Sequence, residues 1–148
     1  MQIPEIILNR KSVYPPQMDP AKKIEKKVIL KLLEAANYAP THRRTEPWRF
    51  VVFAGPQVDA FYEQLYLIFK EKSDDAKLIE SKKSKWETKA KSVSHVVAVY
   101  MKRDEKESVP AWEEEWAVAC AVQNILLAAE PLGVCGYWGT GDLAFSRE

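Results

Sequence analysis

Residues 39–50 read APTHRRTEPWRF, a basic loop held between two prolines and running directly into an apolar segment. Pro40 disfavours the α region at the residue before it, so a preceding helix ends there. Pro47 removes a backbone donor and fixes the chain just ahead of a strand. Thr41, His42, Arg43, Arg44 and Thr45 lie between them as hydrogen-bond donors on a stiff platform. Such a loop suits an anionic or dipolar ligand, and a solvated connection is the plainer alternative.

Outward from the loop, the chain alternates helical and extended patterns. Upstream, Asp19-Pro20 reads as an N-cap with proline at the first helical position. Ile24, Val28, Ile29, Leu32, Leu33 and Ala36 then form one apolar face above a lysine-rich face. Before that, Ile3, Ile6 and Ile7 predict a short helix over the first nine residues. Asn9-Arg10-Lys11-Ser12 follows, two cations and a hydroxyl that could grip a phosphate or simply form a surface turn. Tyr14-Pro15-Pro16 begins an extended connector.

Downstream, residues 49–54 (RFVVFA) read as a central strand, and Gly55-Pro56 as a turn. Val58, Phe61, Leu65, Ile68 and Phe69 predict a second amphipathic helix. Residues 70–91 turn to Lys, Ser, Asp and Glu and read as a charged, mobile, partly helical excursion, with a solvated surface helix as the alternative. Residues 95–101 (HVVAVYM) make a second strand. A helix over 111–131 opens with Glu113, Glu114 and Glu115, favourable at a helix N-terminus. It then becomes apolar on nearly every side, which predicts burial in a core or a subunit interface. Gln123 and Asn124 read as satisfied amides. Leu132-Gly133 ends this helix, 134–138 looks extended, Gly139-Thr140-Gly141 is a turn whose amides could approach a flat ligand, and Asp142 looks like the N-cap of another helix.

Composition narrows the classes. The 148 residues suit one domain, 1–148, with a sizeable core. Lys plus Arg is 22 against 21 for Asp plus Glu, without the basic excess of a nucleic-acid binder. No apolar run is long enough to span a bilayer, and the first ten residues do not read as a secretory signal. Two cysteines, Cys120 and Cys135, form no disulfide framework, which points to the cytoplasm. His42 and His95 show no metal-ligand spacing with them.

Four segments in this order resemble the FMN-dependent nitroreductase family, and specifically its small, single-domain NAD(P)H nitroreductases. They are Arg10-Lys11-Ser12, the 39–50 loop with Pro47-Trp48, the long apolar helix, and residues 136–141 (GYWGTG). The resemblance implies an α+β fold, a three-layer sandwich with a mostly antiparallel sheet flanked by helices, in an intertwined homodimer with FMN at the interface. It implies that Arg10 and Ser12 hold the ribityl phosphate, with Lys11 beside them. Tyr38, His42 and Arg44 would belong to the loop that reaches the flavin, and Trp138, Gly139 and Thr140 to the turn along its rings. Ala128, Ala129, Glu130, Pro131, Leu132 and Gly133 match the segment near the nicotinamide cofactor. The implied activity takes a hydride from NADH or NADPH and reduces a nitro compound, quinone or similar small-molecule acceptor. No side-chain acid, base or nucleophile, and no metal, is then expected to be essential.

The chain departs from the family pattern in three ways. Tyr14 stands where a basic residue is common, and Arg44 and Glu46 stand where asparagine and glutamine are usual. Glu46 should then pair with Arg44 or Arg49. The sequence also stops before the family's last helix and strand. These departures favour a second reading, a flavin-binding or fold-only member without turnover, whose role is storage, sensing or oligomer formation.

Overall fold

The apolar stripe that follows Asp19-Pro20 folds as α2 (Lys26–Ala36), which buries Ile29, Leu32 and Ala36. The computed structural model describes residues 2–140. In chain order, the other elements are α1 (Glu5–Asn9) before α2 and, after it, β1 (Trp48–Ala54), α3 (Pro56–Lys72), α4 (Ala76–Ser92), β2 (His95–Met101) and α5 (Ala111–Ala129). Short 3-10 turns occupy Pro15–Gln17, His42–Arg44 and Glu130–Leu132. The class is α+β, as the sequence predicts. The two strands pair, and a hydrogen bond from the Lys102 amide to the Pro47 carbonyl at 2.8 Å sets the start of β1 beside the end of β2, an antiparallel register.

The chain divides into two compact units. One comprises Ile24–Val52 and Val97–Gly136 together with residues 2–12. Its centre is the packing of α2 against α5. Ala36, Ala39, Trp48, Ala117 and Ala121 form one buried cluster, and Ile29, Leu32 and Ala129 a second. The alanines of α5 leave room for the larger residues of α2, each worth about 1.5–3 kcal/mol when fully buried. Asn124 donates its amide to the Ala35 carbonyl at 3.3 Å, the satisfied amide its composition suggests. α5 ends at a 3-10 turn closed by Gly133 in the left-handed region, φ 64°, where glycine carries no Cβ penalty.

The other unit comprises Val13–Lys23 and Phe53–Val96 together with residues 137–140. Gly55, at φ 54°, turns the chain out of β1, and Pro56 occupies the first position of α3. α3 and α4 form an antiparallel-type hairpin over Val58, Tyr62 and Val93, with Trp86 and Phe53 packed against them. Burial, and then the nearby Tyr137, push the Tyr62 phenol up to about 12.

Three differences from the sequence expectations, and one alternative that the structure selects, have physical causes. Asp19 caps no long helix: its carboxylate accepts from the Ala21 amide at 3.0 Å, a local turn that competes with helix, and α2 begins only at Lys26. Residues 70–91 follow the alternative reading, a surface helix with no fully buried residue. They complete α3 and form α4, whose N-cap Asp75 accepts from the Lys77 and Leu78 amides and whose Trp86 meets Phe69 edge-on at 5.7 Å. β1 is no central strand among the described residues, since β2 is its one sheet neighbour there and Arg49 and Val51 are exposed. Finally, α5 is apolar all round yet buries one face within this chain: Trp112 and Trp116 stand exposed, their rings tilted against each other with centroids 4.4 Å apart. Gly141 and the cap expected at Asp142 lie outside the described residues.

Candidate functional site

The loop between α2 and β1 is built to be stiff. Trp48 donates its indole N–H to the Asn37 side chain at 3.0 Å, tying the two ends together, and Ala39 and Pro47 are buried beneath it. Thr41 and Thr45 share a hydroxyl hydrogen bond at 3.2 Å, and the Glu46 amide donates to the Thr41 hydroxyl at 3.2 Å. Arg49 donates to the carbonyls of Glu46 and Trp48 at 2.8 and 2.7 Å. The Arg49 guanidinium therefore holds the Glu46 backbone and not its carboxylate. Inside this frame Arg43, Arg44 and Glu46 adopt φ values of 54°, 55° and 43°. Each left-handed non-glycine residue costs about 1–2 kcal/mol, strain that concentrates at functional loops.

The 3-10 turn His42–Arg44 packs against the start of α5. Nδ1 of His42 donates to Oε2 of Glu113 at 2.6 Å. The next residue along the helix, Glu114, points to a different side and is 1% exposed. It accepts from Arg103 and from the Asp104 amide, the latter at 3.0 Å. Arg103 also donates to the Val109 carbonyl through both terminal nitrogens at 3.2 Å. Adjacent carboxylates on α5 thus face different partners, since successive helix positions are turned by about 100°. The Asp104 carboxyl is held below its usual range by Ser108, which donates through its hydroxyl and its amide.

A cleft of about 380 Å³ opens beside this contact, lined by Pro40, Thr41, His42, Glu113, Trp116, Ala117 and Cys120. Pro40, Trp116 and Ala117 give it an apolar lining, with Thr41 and His42 contributed by the loop and Glu113 by α5. The arrangement can accept a flat or partly apolar ligand, offer it donors, and exchange a proton at the imidazole.

The remaining sequence-derived candidates distribute as follows. Tyr38 is 80% exposed at the start of the loop, and Arg44 lies exposed on it with no side-chain ion pair or hydrogen bond among the described residues. Arg10 is the half-buried residue at the end of α1, followed by exposed Lys11 and Ser12. α1 packs against the Glu130–Leu132 turn, so the candidate phosphate and nicotinamide segments occupy adjoining elements of the first unit. Within the 128–133 segment, Ala129 is buried with Ile29 and Leu32, and Ala128 packs on the same cluster. Glu130 is half-buried, while Pro131, Leu132 and Gly133 are exposed. Trp138, Gly139 and Thr140 are exposed and belong to the second unit. There Tyr137 meets the ring of Tyr14 at 5.3 Å, and a Cβ at Gly139 would lie 3.0 Å from the Tyr137 ring, which would have to shift to admit it.

Glu113, Trp116, Cys120 and the Arg103–Glu114 pair were not legible as site residues. The Glu113-Glu114-Glu115 run carries a helix-dipole explanation in sequence, and nothing local reveals that two of its carboxylates find partners from distant loops. Trp112 and Trp116, four residues apart beside the acidic turn, were the available signal.

The sequence model described as Nitroreductase family matches residues 7–142. Among curated proteins, YfhC of Bacillus subtilis (strain 168), provisionally named an NAD(P)H nitroreductase, is 30% identical over 145 residues, covering 97% of this chain and 72% of its own. A nitroreductase-like family protein from Bacillus cereus superposes with TM-score 0.78 at 23% identity, covering 94% of this chain and 70% of that one, a likeness of fold. A nitroreductase from Bacteroides fragilis NCTC 9343, solved with bound FMN, superposes with TM-score 0.68 at 29% identity over 88% of this chain and 65% of its own.

Proposed function

The chain belongs to the nitroreductase family, and on that premise we propose that it is an FMN-dependent oxidoreductase taking a hydride from NADH or NADPH and reducing nitro compounds, quinones or similar acceptors. One observation carries the reading: the stiff 39–46 loop and the first turns of α5 frame a partly apolar cleft that the His42–Glu113 pair lines. The donor chemistry fits FMN. The Arg10 guanidinium and the Ser12 hydroxyl suit a phosphate dianion, and neither side chain has a polar partner among the described residues. His42, Arg43 and Arg44 supply donors beside the cleft for a ring system that gains negative charge on reduction. When bound, FMN would supply the hydride chemistry, while the protein binds, orients and excludes water.

The same reading makes the protein a homodimer. Ile7, Leu8, Leu30, Tyr38, Trp112 and Trp116 are all exposed in the first unit, more large apolar surface than a solvated face needs. A cytoplasmic setting accords with the free thiols of Cys120 and Cys135. No helix among the described residues is long and apolar enough to cross a membrane.

The test is the visible absorption spectrum of purified protein, taken before and after adding FMN and desalting. Retained flavin absorbance that bleaches with NADH or NADPH and returns with a quinone is the expected result. Protein that stays colourless after desalting would refute the oxidoreductase reading and leave a fold-only family member. Flavin that is held but never bleached would leave a flavin-binding member without turnover.

A further inference from the structure

We infer that His42, buttressed by Glu113, is the proton donor to the acceptor in the proposed reaction, which rests on the oxidoreductase reading above. The geometry is a carboxylate–imidazole pair facing a cleft: Nδ1 of His42 lies 2.6 Å from Oε2 of Glu113, and both residues line the cavity. With Glu113 ionised, a contact this short requires the proton on Nδ1. That leaves Nε2 as the nitrogen able to exchange a proton with a cleft ligand, and the carboxylate stabilises the imidazolium when Nε2 is protonated. Glu113 is itself a positioning residue. Its helix turn is locked by Glu114, buried and clamped by Arg103. The other titratable and charged groups around His42 are Cys120 from α5, lining the same cleft, and Arg43 and Arg44 on its own loop.

The proton is needed because the acceptor takes up more than a hydride. A quinone becomes a hydroquinone by gaining a hydride and one proton. The hydride originates from NADH or NADPH, which is oxidised. The Nε2–H bond of His42 breaks, an O–H bond forms on the acceptor, and His42 recovers its proton from water. A one-electron acceptor such as ferricyanide takes electrons without a proton, so it bypasses this step.

The experiment compares FMN-loaded wild type with His42→Gln and Glu113→Gln, using NADPH with benzoquinone and with ferricyanide. Dividing the quinone rate by the ferricyanide rate cancels any loss of flavin or nucleotide binding. In His42→Gln this ratio should fall by about 100-fold, the scale of a lost general acid. In Glu113→Gln it should fall by about 10-fold, with the alkaline limb of the quinone pH profile displaced. A second readout uses no activity. Nitrogen NMR of flavin-free protein, which has two histidines, should show His42 as the Nδ1–H tautomer, lost in Glu113→Gln. A quinone-to-ferricyanide ratio within twofold of wild type in His42→Gln overturns the inference, as does an Nε2–H tautomer at His42. Failure to bind FMN or to oxidise NADPH at all defeats the oxidoreductase reading, and this inference falls with it.

Discussion

Removing the Arg103 side chain should cost more than removing the charge of its partner. Glu114 is 1% exposed, whereas the Arg103 side chain is 30% exposed. In Arg103→Ala the buried carboxylate keeps a single donor, the Asp104 amide at 3.0 Å, and the Val109 carbonyl loses both guanidinium contacts. An uncompensated buried charge of this kind costs about 3–5 kcal/mol. Glu114→Gln keeps the shape and the acceptor for Asp104, and Arg103 is exposed enough to recover water, so its cost should be about 1–2 kcal/mol. At about 2–4 °C per kcal/mol for a chain of this size, Arg103→Ala should lower Tm by roughly 10 °C. Urea denaturation followed by tryptophan fluorescence measures both variants, since Trp112 and Trp116 sit on the helix this pair anchors. If Arg103→Ala loses no more than Glu114→Gln, the assignment of Glu114 as a buried charge held by Arg103 is wrong.

Three further outcomes are expected. Trp48→Phe deletes the indole bond to Asn37 and part of a buried aromatic side chain, and should cost about 1–3 kcal/mol; an unchanged urea midpoint would show that this bond does not close the loop. Glu46→Gly relieves a left-handed non-glycine at φ 43° and should stabilise the chain by about 1 kcal/mol, read as a higher urea midpoint, whereas a loss would mean the backbone there is not strained. Burial, and secondarily the Lys23 charge, hold the His95 imidazole below its ordinary 6.5. The unfolded chain therefore binds more protons just below that pH, so stability is full above 6.5 and falls as the pH drops towards the folded value. His95→Gln should flatten that slope, and parallel stability–pH curves for the two proteins would contradict the assignment.

Periodicity and punctuation settled the elements of this protein locally. The spacing from Ile24 to Ala36 gave α2, the HVVAVYM run matched β2 (His95–Met101), and Gly55-Pro56 marked the entry to α3. These signals are legible because a helix stripe or a strand run is written in residues a few positions apart. Family membership was likewise legible, because loop 39–50 and the segments around it carry residue types whose order and spacing few folds require. Where a local alternative competed, sequence reading failed: Asp19 closed its own turn, and within the charged stretch after Lys70 nothing local showed that Trp86 meets Phe69 of α3.

The site depended on tertiary structure. Nothing near His42 in sequence announces Glu113, because the pair is joined across 71 positions by the packing of the 39–46 loop on α5. The same holds for Glu114: three glutamates in a row look alike until the helix turns one towards Arg103 and its neighbour towards His42. Composition and spacing specify which residues are available and which elements they form. Only the close-packed interior decides which carboxylate is buried, which imidazole is oriented and which tryptophan is left outside, since those outcomes depend on contacts between segments far apart in the chain.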